Sequence, residues 1–590
     1  MPRSGVAPGR VDLRLVFPAA ACWAAAGLVV ASPGDAAAAA GVLGAVAAGA
    51  LVWAGRSSRA AGRLHTGGPS WPARLMGTVA VCCAAAALAG LAVAVQAPDR
   101  YPEGVRSAIA AHEEVTARLT VSSSAVPGPR AAFGGAAQVR FRATLTTLER
   151  APAHRSEPSP AAGGRSGRTG LVVPVVVFAR ASESPPRIGE EVRVAGTLVA
   201  TEPGDAAAAL LFARDAAEVL SPAPWWLAWA NTLRAGFTAA SGTLPGDGAA
   251  LLPGLAIGDT SAVSDDLDSA MKLSSLSHLT AVSGANCAIV LALALLVAAA
   301  LGLGRLWRIG TGLVVLAGFV VLVTPEPSVV RAAAMATAVL VSGSMGRPGR
   351  GLSALAIATL CLLIADPWLS RSYGFALSVL ATLGLLLLAA PLSRRLARWL
   401  PRPLATVLAI PLAAQLACQP VLVLLSPALP AYGVPANLLA GPAAPLATIV
   451  GLAGCLLVPF LPWLATWLIW LAWVPATWIA AVARTSAVLP GSSLPWLGGP
   501  AGVLLTVACT AAVLGLALRR TPLVLRILSA GLVCVSVGCT LGTLVGTGLG
   551  RAAAFPADWQ IAACTTFRVG WSVLRGPVLQ VPKGVLRLVS

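Results

Sequence analysis

The sequence predicts a mainly α protein: a polytopic transmembrane helical bundle of about 13 spans carrying a small extracytoplasmic β-barrel of OB-like type. Three observations predict it. The 590 residues are 57% hydrophobic and only 11% charged, against about 25% charged in ordinary soluble domains. Apolar runs long enough to cross a bilayer core of roughly 30 Å recur along the chain, and the mean hydropathy is +0.80. The basic residues, finally, are nearly all Arg and are unevenly placed. Segments 1–14, 55–75, 304–308, 346–350, 394–402 and 519–526 hold eighteen Arg against Asp12 alone, so +17 of the net charge of +19 lies there. That is the positive-inside pattern. It assigns these segments to the cytoplasm and makes the net charge a determinant of topology, not an argument for nucleic acid.

The elements follow in chain order. Arg3, Arg10 and Arg14 precede an apolar run from Leu15 to Ala31 that has the outline of a signal peptide. A second run (36–54) and an Arg-rich loop follow it, so the first run reads as an uncleaved span with its N-terminus inside. Residues 1–96 form an N-terminal transmembrane segment with spans near 15–31, 36–54 and 76–96. The last delivers the chain to the outside. Residues 97–222 read as β. Gln138 to Leu145 alternates polar and apolar with period two, and Leu171–Phe178 and Val192–Ala200 are Val-rich strands. The Pro- and Gly-rich stretches 126–135 and 151–170 read as loops. About five short strands suit a small barrel.

Residues 223–550 read as a second membrane domain. Trp225, Trp226 and Trp229 place an aromatic belt at the head of a surface helix over 225–243. Ten further spans are expected near 277–303, 308–324, 329–345, 352–365, 373–391, 403–425, 434–459, 462–483, 498–518 and 522–548. With these bounds every Arg-rich loop falls on one side, and the 551–590 tail lies outside.

Chemistry-bearing residues are few. The eleven cysteines lie mostly in apolar runs, with no CxxC spacing, and behave as small hydrophobes. Ser264-Asp265-Asp266 starts a helix, where acids favour the N-terminal dipole. Glu326 lies in a Pro-flanked turn. Asp259 follows an apolar stretch. His278 heads a span that Ser283, Gly284 and Asn286 interrupt; this is either a broken span lining a cavity or an interfacial His beside small packing residues. Arg331 is either a snorkelling end residue or a cation facing a polar pathway. Gln415, Gln419 and Asn437 are polar groups within apolar spans, as interhelical hydrogen bonds or pore lining. Neither a P-loop, nor HExxH, nor GxSxG occurs, so no catalytic residue, metal or cofactor is expected. Transport would draw on a gradient or a partner.

The ordered motifs resemble the ComEC family of DNA-uptake proteins. Leu252-Pro253-Gly254-Leu255-Ala256-Ile257-Gly258-Asp259 is similar to the family's "GL-x-x-GD" segment, and Ser277-His278-Leu279-Thr280-Ala281-Val282-Ser283-Gly284 to its "H-L-x-A-x-SG". Pro327–Met335, Asp366-Pro367, Gly374–Ser378, Gln419-Pro420 and Asn437–Ala440 follow in family order. Asn286 stands where the family often has His. The resemblance covers about 225–550. It implies translocation of single-stranded DNA across the cytoplasmic membrane during natural transformation. Asp259, His278, Ser283, Gly284, Asn286, Arg331, Gln415, Gln419 and Asn437 would line the pathway. Arg140 and Arg142, on one strand face, would contact DNA or are simply solvated. Implied partners are single-stranded DNA, membrane lipid, a DNA receptor protein, a separate nuclease and a cytoplasmic ATPase or helicase, with oligomers open. The metallo-β-lactamase-like domain of many members is not expected here: Ala557–Cys564 resembles its first strand, but no "DVGQGD"-like continuation follows. A secondary transporter, a lipid-linked precursor exporter and a truncated remnant are the competing readings.

Overall fold

The structure, a computed structural model, describes residues 14–63, 71–128, 138–150, 168–280, 284–323, 327–344 and 351–518. Helices α1 (Val16–Val29), α2 (Ala36–Arg63), α3 (Trp71–Arg100) and α4 (Glu103–Ala110) lead into strands β1 (Glu114–Val121), β2 (Val126–Pro127), β3 (Gln138–Arg150), β4 (Arg168–Arg180), β5 (Glu191–Ala200), β6 (Ala209–Ala213) and β7 (Glu218–Ser221). Then come α5 (Trp225–Ser241), α6 (Gly246–Ile257), α7 (Asp265–Leu273), α8 (Ser277–Thr280), α9 (Gly284–Ala300), α10 (Arg305–Leu322), α11 (Pro327–Ser344), α12 (Gly351–Ala365), α13 (Tyr373–Gly384), α14 (Ala390–Leu396) and α15 (Arg402–Leu425). A short strand β8 (Ala428–Pro430) follows, then α16 (Gly433–Ala440), α17 (Ala443–Leu457), α18 (Pro462–Val488), β9 (Ser493–Pro495) and α19 (Gly499–Leu518).

The strands make a closed barrel. Their order is β1-β3-β4-β6-β5, and β5 pairs back onto β1. The β4–β6 pair is parallel and the other barrel pairs are antiparallel. Period-two alternation turns Val115, Ala117 and Leu119, Phe141, Ala143 and Leu145, and Val173, Val175 and Val177 inward to one core. Gly196 is required where β5 meets β6, because a Cβ there would collide with the Phe212 carbonyl. The expected loops are shorter than predicted. Val126–Pro127 pairs with Val139 and Arg140 of β3, and β4 already begins at Arg168. Ladder hydrogen bonds extend the sheet into segments whose Pro and Gly content reads as turn.

In the helical part, six helices of the described residues are long and apolar enough to cross a membrane: Pro33–Ser57, Leu75–Arg100, Arg305–Leu322, Tyr373–Leu396, Arg402–Leu425 and Pro462–Val488. The pair α16 and α17, bent by 43°, makes a seventh. These fall at seven of the expected spans. The spans expected at 15–31, 352–365 and 498–518 are shorter apolar helices, and α6 is a short apolar helix where none was expected. The 277–303 span divides into α8 and α9. The 522–548 span and the tail lie outside the described residues. Helix α5 starts with Trp225 largely exposed and buries Leu233, Arg234 and Phe237. It is therefore packed on one face.

The barrel is fixed to the helices at two places. At one, the Asn231 side chain donates to the Ile188 carbonyl (2.8 Å), and Gly189 packs on Leu227. At the other, the 201–207 turn receives hydrogen bonds from Tyr101 (2.7 Å) and Trp368 (2.9 Å) at Pro203, and from Arg100 at Asp205 (2.9 Å) and Ala206. Arg100 also stacks over the Trp368 ring at 4.3 Å.

Candidate functional site

His278, Gln415, Gln419 and Asn437 gather around Ser275. This residue joins α7 to α8 with a positive φ of 58°, an uncommon conformation for a side-chain-bearing residue. Gly433 makes room for it, since a Cβ there would lie 3.1 Å from the Ser275 Cβ. The Ser275 carbonyl oxygen lies 3.1 Å from His278 Nδ1 and accepts from Asn437 Nδ2 at 3.3 Å. A carbonyl only accepts, so the His278 proton sits on Nδ1 in this contact. The Ser275 hydroxyl donates to Gln415 (3.4 Å), and Gln415 donates to Gln419 (2.5 Å), one helical turn on along α15. Gln419 Nε2 is buried with no hydrogen-bond partner. Asn437 also donates to the Gly433 carbonyl (2.7 Å), just before the bend between α16 and α17. Polar groups at a bend within an apolar span are tolerated where they satisfy one another or line a cavity.

Asp259 belongs to a neighbouring cluster. Gly258 ends α6 in the left-handed conformation (φ 79°), as a helix C-cap favours glycine. This turns Asp259 back over the helix end, where it accepts from the Ser261 amide (3.0 Å) and the Thr238 hydroxyl (3.3 Å). Gly254 packs beside α8: a Cβ there would stand 3.5 Å from the Thr280 carbonyl, an ordinary contact. Of the two glycines of the motif, only Gly258 is required by its backbone conformation. Arg234 of α5 is buried and donates to Asn231 (2.8 Å), the residue that holds the barrel. Burial pushes its guanidinium below the ordinary value, and the Asp259 charge opposes this.

Gly284 opens α9 within 3.4 Å of the Ala332 side chain, measured from where its Cβ would stand, and Asn286 is buried in the same first turn. Arg331 does not snorkel. It is 3% exposed, donates to the Gly374 carbonyl (2.8 Å) and sits 5.3 Å from the Phe375 ring centre. Ser283 and Glu326 lie outside the described residues. Arg140 and Arg142 are exposed on the barrel's outer face, opposite Phe178 and Val176 of β4. Phe178 stacks on Phe212 of β6 with centroids 5.1 Å apart. So the structure joins His278, Gln415, Gln419 and Asn437 in one cluster, sets Asp259 beside it, and places Arg331 and the barrel arginines elsewhere. Sequence reasoning missed Ser275, Asn231 and Arg234. A Ser-rich break between two helices and a lone Arg in an apolar helix were the available signals.

A helical bundle with polar groups collected at broken helices, beneath a closed barrel, defines a polytopic membrane protein with an appended β-domain. Residues 255–522 match the family described as Competence protein. The match agrees with the order of the ComEC-type motifs. No curated protein and no solved structure gives a match.

Proposed function

We propose that the chain passes a single DNA strand across the cytoplasmic membrane, with the Ser275 cluster lining the path and the barrel receiving the strand outside. The observation that carries this reading is the convergence of His278, Gln415 and Asn437 on Ser275 from three separate segments, inside the region that matches the competence family. Uncharged donors and acceptors suit a polyanion that must enter and also leave, where fixed opposite charges would hold it. The barrel's strand order is that of an OB-like barrel, and its outer face sets Arg140 and Arg142 beside the stacked Phe178 and Phe212. Basic groups for phosphates and aromatic faces for bases are what single strands need. In this reading the N-terminus is cytoplasmic and the barrel lies outside. A receptor, a separate nuclease and a cytoplasmic motor act with the channel.

The test is uptake of labelled DNA in cells lacking the native copy. Gln415→Leu and Asn437→Leu, each inserted at normal levels, are expected to lower uptake at least ~10-fold, about the loss of one well-placed hydrogen-bonding interaction. Arg140→Ala with Arg142→Ala is expected to weaken binding of single strands in a salt-dependent way. Normal uptake by both α15 and α16 variants would remove the pathway assignment.

A further inference from the structure

Arg331 sits where an uncompensated charge is least expected. It is 3% exposed between α11, α12 and α13, in the midst of apolar helices. One of its five donor hydrogens goes to the Gly374 carbonyl. Nε and Nη1 are buried with no hydrogen-bond partner. Among the described residues no carboxylate stands within ion-pair distance of it. The Phe375 face offers only a cation–π contact, with centroid distance 5.3 Å. A guanidinium is not deprotonated in proteins, and an isolated buried charge is costly unless something of opposite sign meets it.

The guanidinium borders a cavity of about 10 Å³. Thr359, Ser378, Met335, Leu355 and Phe375 also line it. The Thr359 hydroxyl donates to the Leu355 carbonyl (2.8 Å), which fixes its orientation. The volume admits about one water-sized particle. So small a space favours a small anion over sulfate or a phosphate monoester. Charge and size together select a monatomic anion.

We propose that this cavity is a chloride site, with Arg331 as its cation and the Ser378 hydroxyl as a further donor from α13. The site goes beyond the DNA-channel reading and does not depend on it. A single halide neutralises the guanidinium and gives Nε and Nη1 an acceptor, and so ties α11 to α13.

The experiment is binding of radiolabelled chloride to the full chain purified in detergent, at constant ionic strength held with gluconate. Wild type is expected to show saturable binding near one ion per chain, displaced by bromide and not by gluconate. Arg331→Met is expected to lose at least 10-fold of that affinity. Ser378→Leu fills the cavity from α13 and leaves the guanidinium in place; it is expected to lose binding too, and it decides the matter if Arg331→Met fails to fold. No saturable chloride in wild type, or unchanged binding in folded Ser378→Leu, would overturn the site. DNA uptake is a separate readout, so failure of the channel reading leaves this result untouched, and the reverse.

Discussion

At the scale of the residue, burial and charge oppose each other most plainly at Asp366. It caps the turn Pro367–Arg371 by accepting from the Trp368 amide at 3.1 Å. Burial pushes its carboxyl above the ordinary value, and Arg100 and the Trp368 and Leu369 amides pull it back. Because burial is the largest cause, the folded protein binds a proton at Asp366 more readily than the unfolded chain. Its contribution to stability is therefore present at low pH, and is lost as pH rises from the unfolded carboxylate range through the raised folded one. Asp366→Asn keeps an acceptor for the cap and removes the desolvated charge. The variant is expected to be at least as stable as wild type at pH 7, and to show a flatter dependence of thermal midpoint on pH between about 4 and 6. A midpoint at pH 7 several degrees lower would mean that the Arg100 attraction outweighs burial.

At the scale of the element, close packing is set by single glycines. Helices α6 and α18 meet where Gly248 lies against Thr477, and a Cβ at Gly248 would stand 2.9 Å from the Thr477 amide nitrogen. The contact is flanked by the Arg484–Asp247 ion pair (2.9 Å at Nη2) and by Trp473, which donates to the Pro245 carbonyl (3.0 Å). Gly248→Leu must part the helices, because backbone cannot give way as a flexible side chain can. A loss of about 2 kcal/mol is expected from overpacking of this kind, read as thermal unfolding in detergent against Gly310→Leu, where a Cβ meets nothing within 4 Å. Equal stability of the two variants would show that α6 and α18 separate without cost. The same scale decides what the sequence made legible. Strands β3 to β5 were legible because period-two alternation is local. The start of α7 was legible because Ser264 is a local capping signal. Helix α6 was not read as an element because its 12 residues fall short of a span. The Ser275 cluster was not legible as a cluster. Gln415 and Asn437 stood out singly as polar groups in apolar runs, but their shared partner lies 140 and 162 residues away. No periodicity carries that distance.

At the scale of the whole molecule, the two fixings of the barrel and the placement of arginine bear on one question, which side of the membrane the barrel occupies. The barrel is held by the 201–207 turn to Tyr101, Arg100 and Trp368, and by Ile188 to α5. It therefore lies at the same end of the bundle as the C-terminus of α3 and the turn after α12. The α14–α15 turn, with Arg394, Arg398 and Arg402 all exposed, is separated from that turn by a single apolar helix, Tyr373–Leu396, long enough to cross. One crossing puts the two turns on opposite sides, and the positive-inside rule assigns the Arg-rich one to the cytoplasm. Trypsin added to spheroplasts is then expected to cut after exposed Arg187, in the barrel's β4–β5 turn, and to spare Arg394–Arg402 until the membrane is permeabilised. Fragments identified by mass would distinguish the two. Cleavage within 394–402 in sealed spheroplasts, with Arg187 protected, would invert the orientation and place the barrel in the cytoplasm.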